Sequence, residues 1–240
     1  MIRIVDMHKN ARNSFKIKIG FLLFLFLVSN FSYADFALVN DPDGNVNVRS
    51  DSNVKAKIVD RLQNGTIIYC YSEYLKNGFC MVEIEKHGDS NSYVYMSKLK
   101  PISNFKKLNS KLINKTNLEL SGDSLKINVK IKNTDKRDGE FINEYFKNGE
   151  IFGADENLLP QYKYESIELN VKNKIINIDK KYLSNLFYPQ LDSTQAFYDS
   201  YNKTLYLVAK NGDGAIVYNV IWVFKDGRLV KYWVFLDANV

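Results

Sequence analysis

From Leu118 onward, apolar and polar positions alternate with the period of a strand. Leu125, Ile127, Val129 and Ile131 are separated by Lys126, Asn128, Lys130 and Lys132, which predicts a half-buried strand with one wet face. Ile167, Leu169 and Val171 alternate with Glu168 and Asn170, and Ile175 to Ile178 return after Asn173. Near the C-terminus, Leu205 to Lys210, Ile216 to Phe224 and Leu229 to Phe235 read as three strands of a meander. Asn211-Gly212-Asp213-Gly214 and Lys225-Asp226-Gly227 are the turns between them. The middle strand is apolar at both parities: Ile216, Tyr218, Val220, Trp222 and Phe224 on one face, Val217, Ile221 and Val223 on the other. A strand buried on both faces lies inside a sheet with material packed over it. Trp222 is therefore expected in the core. Trp233 sits on the last strand with none after it, and is expected on a half-open face that a partner can reach. Two shorter stretches complete this half. Asp138-Gly139 precedes a run from Glu140 to Lys147 that Asn148-Gly149 would close as a hairpin. Asp179 to Phe187 reads as one short helix, with Asp179 as N-cap and Pro189 just past its end.

The preceding part has shorter periods. A strand at Phe36 to Val39 enters the turn Asp41-Pro42-Asp43-Gly44. An alternating segment then ends in Asn47-Val48-Arg49-Ser50, and after a polar loop a second apolar run spans Ile58 to Leu62. Pro42 presets φ for a turn position, and Gly44 supplies the positive φ of the reversal. Two further strand-like runs, Thr66 to Ser72 and Phe79 to Glu85, flank a loop containing Asn77-Gly78. Pairing them about residue 75 puts Cys70 opposite Cys80, within disulfide reach. A reactive thiol and a metal pair are the alternatives. A ten-residue spacing with only His87 nearby supplies neither a zinc ligand set nor a CxxC motif. Short strands, turns rich in Gly, Asn and Asp, and no helical periodicity predict a small β-barrel over residues 35–102. Residues 103–117, rich in Lys, Asn and Ser after Pro101, read as a linker. The expected fold is mainly β: a small N-terminal barrel, then a mostly antiparallel sheet domain over 118–240 with at most a short helix.

The segments Asn47-Val48-Arg49-Ser50, Lys57 to Leu62, Asn64-Gly65-Thr66-Ile67-Ile68, Gly78 to Val82, and Ser92 to Met96 leading to Leu99 share a family's order and spacing. Over about residues 37–102 the chain resembles the bacterial SH3 (SH3b) family, with Phe79 and Tyr93 where that family usually carries tryptophan. The resemblance implies an SH3-like barrel that binds cell-wall peptides or protein segments through an aromatic groove. It makes Phe79, Tyr93 and Tyr95 the candidate contacts. Barrel core and rim is the other role open to these three. No family is recognised for the C-terminal half.

Residues 1–34 read as a secretory signal. Lys9, Arg12, Lys16 and Lys18 form a basic region, Ile19 to Val28 an apolar run of ten, and Ser32 and Ala34 occupy the −3 and −1 positions of a cleavage site. Ten residues of helix reach about 15 Å, half a bilayer core, so no stable membrane anchor is expected after cleavage. Losing five basic residues and one acid lowers the formal charge from +6 to +2. The remaining lysines and arginines are scattered rather than clustered, which argues against nucleic acid as a partner.

Candidate chemistry is sparse. His87 is the one histidine after residue 34, and no G-x-S-x-G elbow is present. Neither a cofactor nor a metal is expected. The expected function is that of an exported, non-enzymatic binding protein of the periplasm or extracellular space. Its partner would be a cell-wall peptide or an envelope protein. An inhibitor or immunity protein against a wall-targeting or secreted toxic enzyme is the alternative. A wall hydrolase acting through Asp155, Glu156 or Glu165 ranks last.

Overall fold

The computed structural model describes residues 35–85, 87–122, 124–146, 151–155, 159–172 and 174–237; the expected signal segment, Asn148-Gly149 and Glu156 lie outside them. The described residues form three antiparallel sheets and one α-helix, and the fold is mainly β.

The first sheet contains β1 (Asp35–Val39), β2 (Asn45–Arg49), β3 (Ile58–Gln63), β4 (Ile67–Lys76), β5 (Phe79–Ile84), β6 (His87–Tyr95) and β7 (Leu99–Pro101), in the order β3-β2-β6-β5-β4-β1-β7. Side chains of one parity, among them Val39, Val48, Ile68, Val82 and Val94, make a single core within the bend of this sheet. The expected barrel is corrected in one respect: β3 and β7 stand at opposite ends of the strand order, so the sheet does not close on itself. Both ends are poor pairing edges. β3 buries only Leu62, and β7 ends in Pro101, which has no N–H to donate.

Cys70 and Cys80 form the expected disulfide, with Cα atoms 5.8 Å apart, and no free cysteine is left. The register differs from the expected one, because Cys70 lies opposite Val82 and Tyr71 opposite Met81. An irregularity between Tyr71 and Lys76 adds residues to β4, so the hairpin turns at Asn77-Gly78 with the pairing offset. The bond therefore spans a diagonal, still within reach.

A second sheet contains β8 (Lys106–Lys107), β14 (Gln195–Asp199), β15 (Thr204–Asn211), β16 (Tyr218–Lys225) and β17 (Arg228–Leu236), in the order β17-β16-β15-β14-β8. A third contains β9 (Asn109–Asn114), β10 (Asn117–Gly122), β11 (Leu125–Asn133), β12 (Tyr162–Val171) and β13 (Lys174–Asn177), in the order β13-β12-β11-β10-β9. The linker expected at 103–117 is thus corrected. Its residues form the edge strands of two sheets, and buried Leu108 anchors the crossing through its N–H to the Ala196 carbonyl. A polar edge strand needs only backbone pairing, so its composition matches that of a linker.

The three sheets stack in layers. Leu120, Ile127, Val129 and Leu169 of the third sheet meet Leu207, Tyr218, Val220 and Trp222 of the second. On the opposite face of that second sheet, Phe197, Tyr206, Ile221, Val223 and Trp233 meet Phe36, Ile67, Tyr69 and Tyr71 of the first. This is why β16 is apolar at both parities: its even positions face one sheet and its odd positions the other. Trp222 is fully buried, as expected. The half-open face expected around Trp233 is corrected: β17 is an edge strand, but Trp233 is only 5% exposed and meets Phe36 edge-on at 5.7 Å. The surface it serves is the first sheet of its own chain.

The run expected to be a strand after Gly139, of which Lys147 lies outside the described residues, is instead helical over Glu140 to Tyr145, the end of helix α1 (Lys136–Tyr145). Asp135 caps it by accepting from the N–H groups of Arg137 and Asp138, and the Asp138 carboxylate accepts from the Asp135 N–H. Phe141 and Tyr145, one turn apart, meet as tilted rings 4.6 Å apart beside buried Ile142. The helix expected at Asp179 to Phe187 shrinks to a single 3-10 turn at Lys180–Tyr182. Asp179 does cap it, and Leu183, Leu186 and Phe187 beyond it are buried.

Candidate functional site

The first sheet carries a groove of about 380 Å³ between the Asp41–Asn45 turn, the loop that includes Val54, and the Phe79–Tyr95 ring pair. Its geometry begins with Asp41. The Asp41 carboxylate accepts from the Asp43 N–H at 2.8 Å and pairs with the Lys98 ammonium at 2.8 Å. Asn64 clamps the same turn, accepting from the Asp41 N–H at 2.9 Å and donating to the Asp41 carbonyl at 2.7 Å. The Lys98 partner, followed by the Asp43 N–H, holds the Asp41 carboxyl below the usual carboxylate range.

Alternation along β2 sets the charged wall. Val46 and Val48 point into the core, so Asn45, Asn47 and Arg49 point outward. Arg49 reaches the Ala56 carbonyl at 2.8 Å and pins the loop above the groove. Arg61, from β3, donates to Asn47 at 3.1 Å. Asn77 donates to the Ser52 carbonyl at 3.1 Å and ties the β4–β5 turn to that loop.

Phe79 and Tyr95 are cross-strand partners whose rings meet edge-on at 5.0 Å. Phe79 is only 3% exposed and supports from below, whereas Tyr95 is 41% exposed and offers a contact surface. Gly78, at φ +78°, lies directly under the Tyr95 ring, and a Cβ there would sit 2.8 Å from it.

Of the four aromatic candidates, the groove brings together Phe79 and Tyr95. Tyr93, half-buried opposite Arg49 and Met81, does not line it, and Trp233 lies at the contact between sheets. Arg49, Arg61, Val54 and the Asp41–Lys98 pair were not among the expected contacts. The outward parity of Asn45, Asn47 and Arg49 was the available signal. The groove combines a 65%-exposed valine and a tyrosine with three cations and two carboxylates. Such a lining suits a ligand with amide, carboxylate and small apolar groups.

The carboxylates considered for hydrolysis do not share one cavity. Exposed Glu165 lines a cavity of about 520 Å³ with Asp138, Lys163 and Tyr164, and exposed Asp155 does not line it. Asp138 there is paired with Lys163. Among the described residues, no group of three or more His, Cys, Asp or Glu side chains is placed to hold a metal ion.

No protein-family model, no curated protein and no solved structure matches this chain.

Proposed function

We propose that the chain is an exported, non-enzymatic binding protein whose first sheet takes cell-wall peptide, or a peptide segment of an envelope protein, in the groove at Tyr95. The observation that carries this reading is the groove itself: an exposed tyrosine beside Val54, flanked by Arg49, Arg61 and Lys98. Wall stem peptides offer carboxylates to the cations, amides to the side-chain donors and methyl groups to the aromatic surface. The resemblance to SH3b modules supports the same assignment. The Cys70–Cys80 bond is compatible with an oxidising compartment and supports export, and it removes both thiols from nucleophilic chemistry.

Co-sedimentation with purified sacculi tests the reading. The chain is expected to pellet with sacculi, and Tyr95→Ala and Arg61→Ala are each expected to weaken binding about tenfold, a loss of one good contact. Equal recovery of wild type and both variants, or no recovery at all, would overturn the wall ligand.

A further inference from the structure

The third sheet has an open edge. β9 ends its strand order, and all six of its residues, Asn109–Asn114, are exposed. An edge strand presents alternate N–H and C=O groups to any extended chain that lies alongside. Leu112, 55% exposed, is the register partner of buried Leu118, so its side chain lies on the inner face of the sheet. There it lines a cavity of about 430 Å³ with Ile131, Tyr162, Tyr188, Pro189 and Leu191. Ile113, 50% exposed, is the extra residue of a bulge between Leu112 and Asn114. The edge strand of the facing sheet, β8, is only two residues long. An open backbone edge and an adjoining cavity of mixed lining, completed by Lys115, Gln161, Gln190 and Asp192, thus share one residue, Leu112.

Charge selects the occupant. β9 carries Lys111 and the turn after it Lys115, both exposed, and no acid lies between Phe105 and Asn117; Glu119, the register partner of Lys111, is paired with Lys126. Asp192 is the one acid lining the cavity. Two copies of such a strand would bring lysines together, and an edge lysine is a common guard against self-pairing. An extended chain carrying carboxylates meets the opposite condition. We propose that β9 and its cavity are a docking edge for an extended, acidic segment of a partner protein. The segment adds to the sheet as a sixth strand and seats one bulky apolar side chain beside Leu112. This site is separate from the groove at Tyr95.

The test uses residues 35–240 and two labelled synthetic heptapeptides, one alternating glutamate with valine and leucine, the other with lysine for every glutamate. Fluorescence anisotropy reads binding and amide hydrogen exchange reads location. The acidic peptide is expected to bind, to slow exchange along β9, and to bind about tenfold or more tightly than its lysine counterpart. Leu112→Ala and Lys111→Glu should each weaken it by about the same factor, while Tyr95→Ala leaves it unchanged. Both β9 positions are exposed, so an unchanged melting temperature verifies that the variants fold. No binding, equal binding of the two peptides, protection away from β9, or indifference to Leu112→Ala would each overturn the proposal. So would a dimer that Lys111→Glu abolishes, which would make a second copy the occupant.

Discussion

Trp233→Ala should uncouple the first sheet from the rest of the chain. The indole is 5% exposed, meets Phe36 edge-on at 5.7 Å and stacks on Phe235 at 4.8 Å. Truncating a buried tryptophan to alanine costs about 3–5 kcal/mol, of which each lost aromatic pair accounts for about 0.5–1.5 kcal/mol. Domains of this size hold about 5–15 kcal/mol in all, so the loss is a large share of the margin. It also falls in a particular place, because Phe36 belongs to the first sheet and Trp233 to the second. Trp222, fully buried on the opposite side of the second sheet, is the other tryptophan and remains as a fluorescent reporter. Urea unfolding followed by Trp222 fluorescence and by far-ultraviolet dichroism is the assay. The wild type should show one coincident transition. In Trp233→Ala the dichroism transition should begin at lower urea, as the undocked first sheet unfolds ahead of the two sheets around Trp222. A variant within about 0.5 kcal/mol of wild type, with both probes still coincident, would refute the docking of the layers on Trp233.

Three further outcomes follow from named contacts. Cys70→Ser should lower stability by about 2–3 kcal/mol, the chain-entropy value for a loop of about ten residues, read as a shift in urea midpoint beginning in the first sheet. Asp135→Ala removes the acceptor for two N–H groups of α1 and should cost about 1 kcal/mol, measured by thermal unfolding, whereas Asp135→Ser should restore most of it. At alkaline pH, burial first and the nearby Asp199 charge second push the Tyr206 hydroxyl up to about 12. Burial also holds Tyr164 and Tyr218 above the ordinary tyrosine range. A raised folded-state value contributes stability that is complete below the unfolded value near 10 and is lost as pH climbs through the folded one. Melting temperature should therefore be flat between pH 8 and 9.5 and fall from about pH 10 to 12, less steeply in Tyr206→Phe. A constant melting temperature across that span would contradict the burial.

How much of this was legible depended on whether the deciding contact was local. β11 and β12 declared themselves through period-two alternation with one wet face, and β15 to β17 as apolar runs set off by glycine turns. The double-sided burial of β16 was equally plain, but its sequence could not name what lay on the second face. The mate was a second run apolar at both parities, Ile67 to Tyr71 on β4, where Ile67, Tyr69 and Tyr71 face the second sheet while Ile68 and Cys70 face the core of the first. Two such runs in different halves of a chain are a signature of sheets stacked on each other, and Trp233 was misplaced for want of that pairing. Helix α1 was hidden by Gly139 in its interior; the informative residues were Asp135 and Asp138, spaced as a reciprocal cap. Edge strands β8 and β9 could not be told from a linker, since neither needs apolar side chains of its own. The groove was half legible. Phe79 and Tyr95 were in hand, but Arg49, Arg61 and Lys98 come together only through strand order and a loop pinned by Arg49.

The groove is tested most directly by nuclear magnetic resonance titration of isotope-labelled residues 35–240 with purified wall muropeptides. Saturable shifts centred on Arg49, Val54, Arg61 and Tyr95, absent in Tyr95→Ala, are the expected result. Shifts that gather on β9 or between the sheets while the groove stays silent, or no saturable shifts at all, would contradict it.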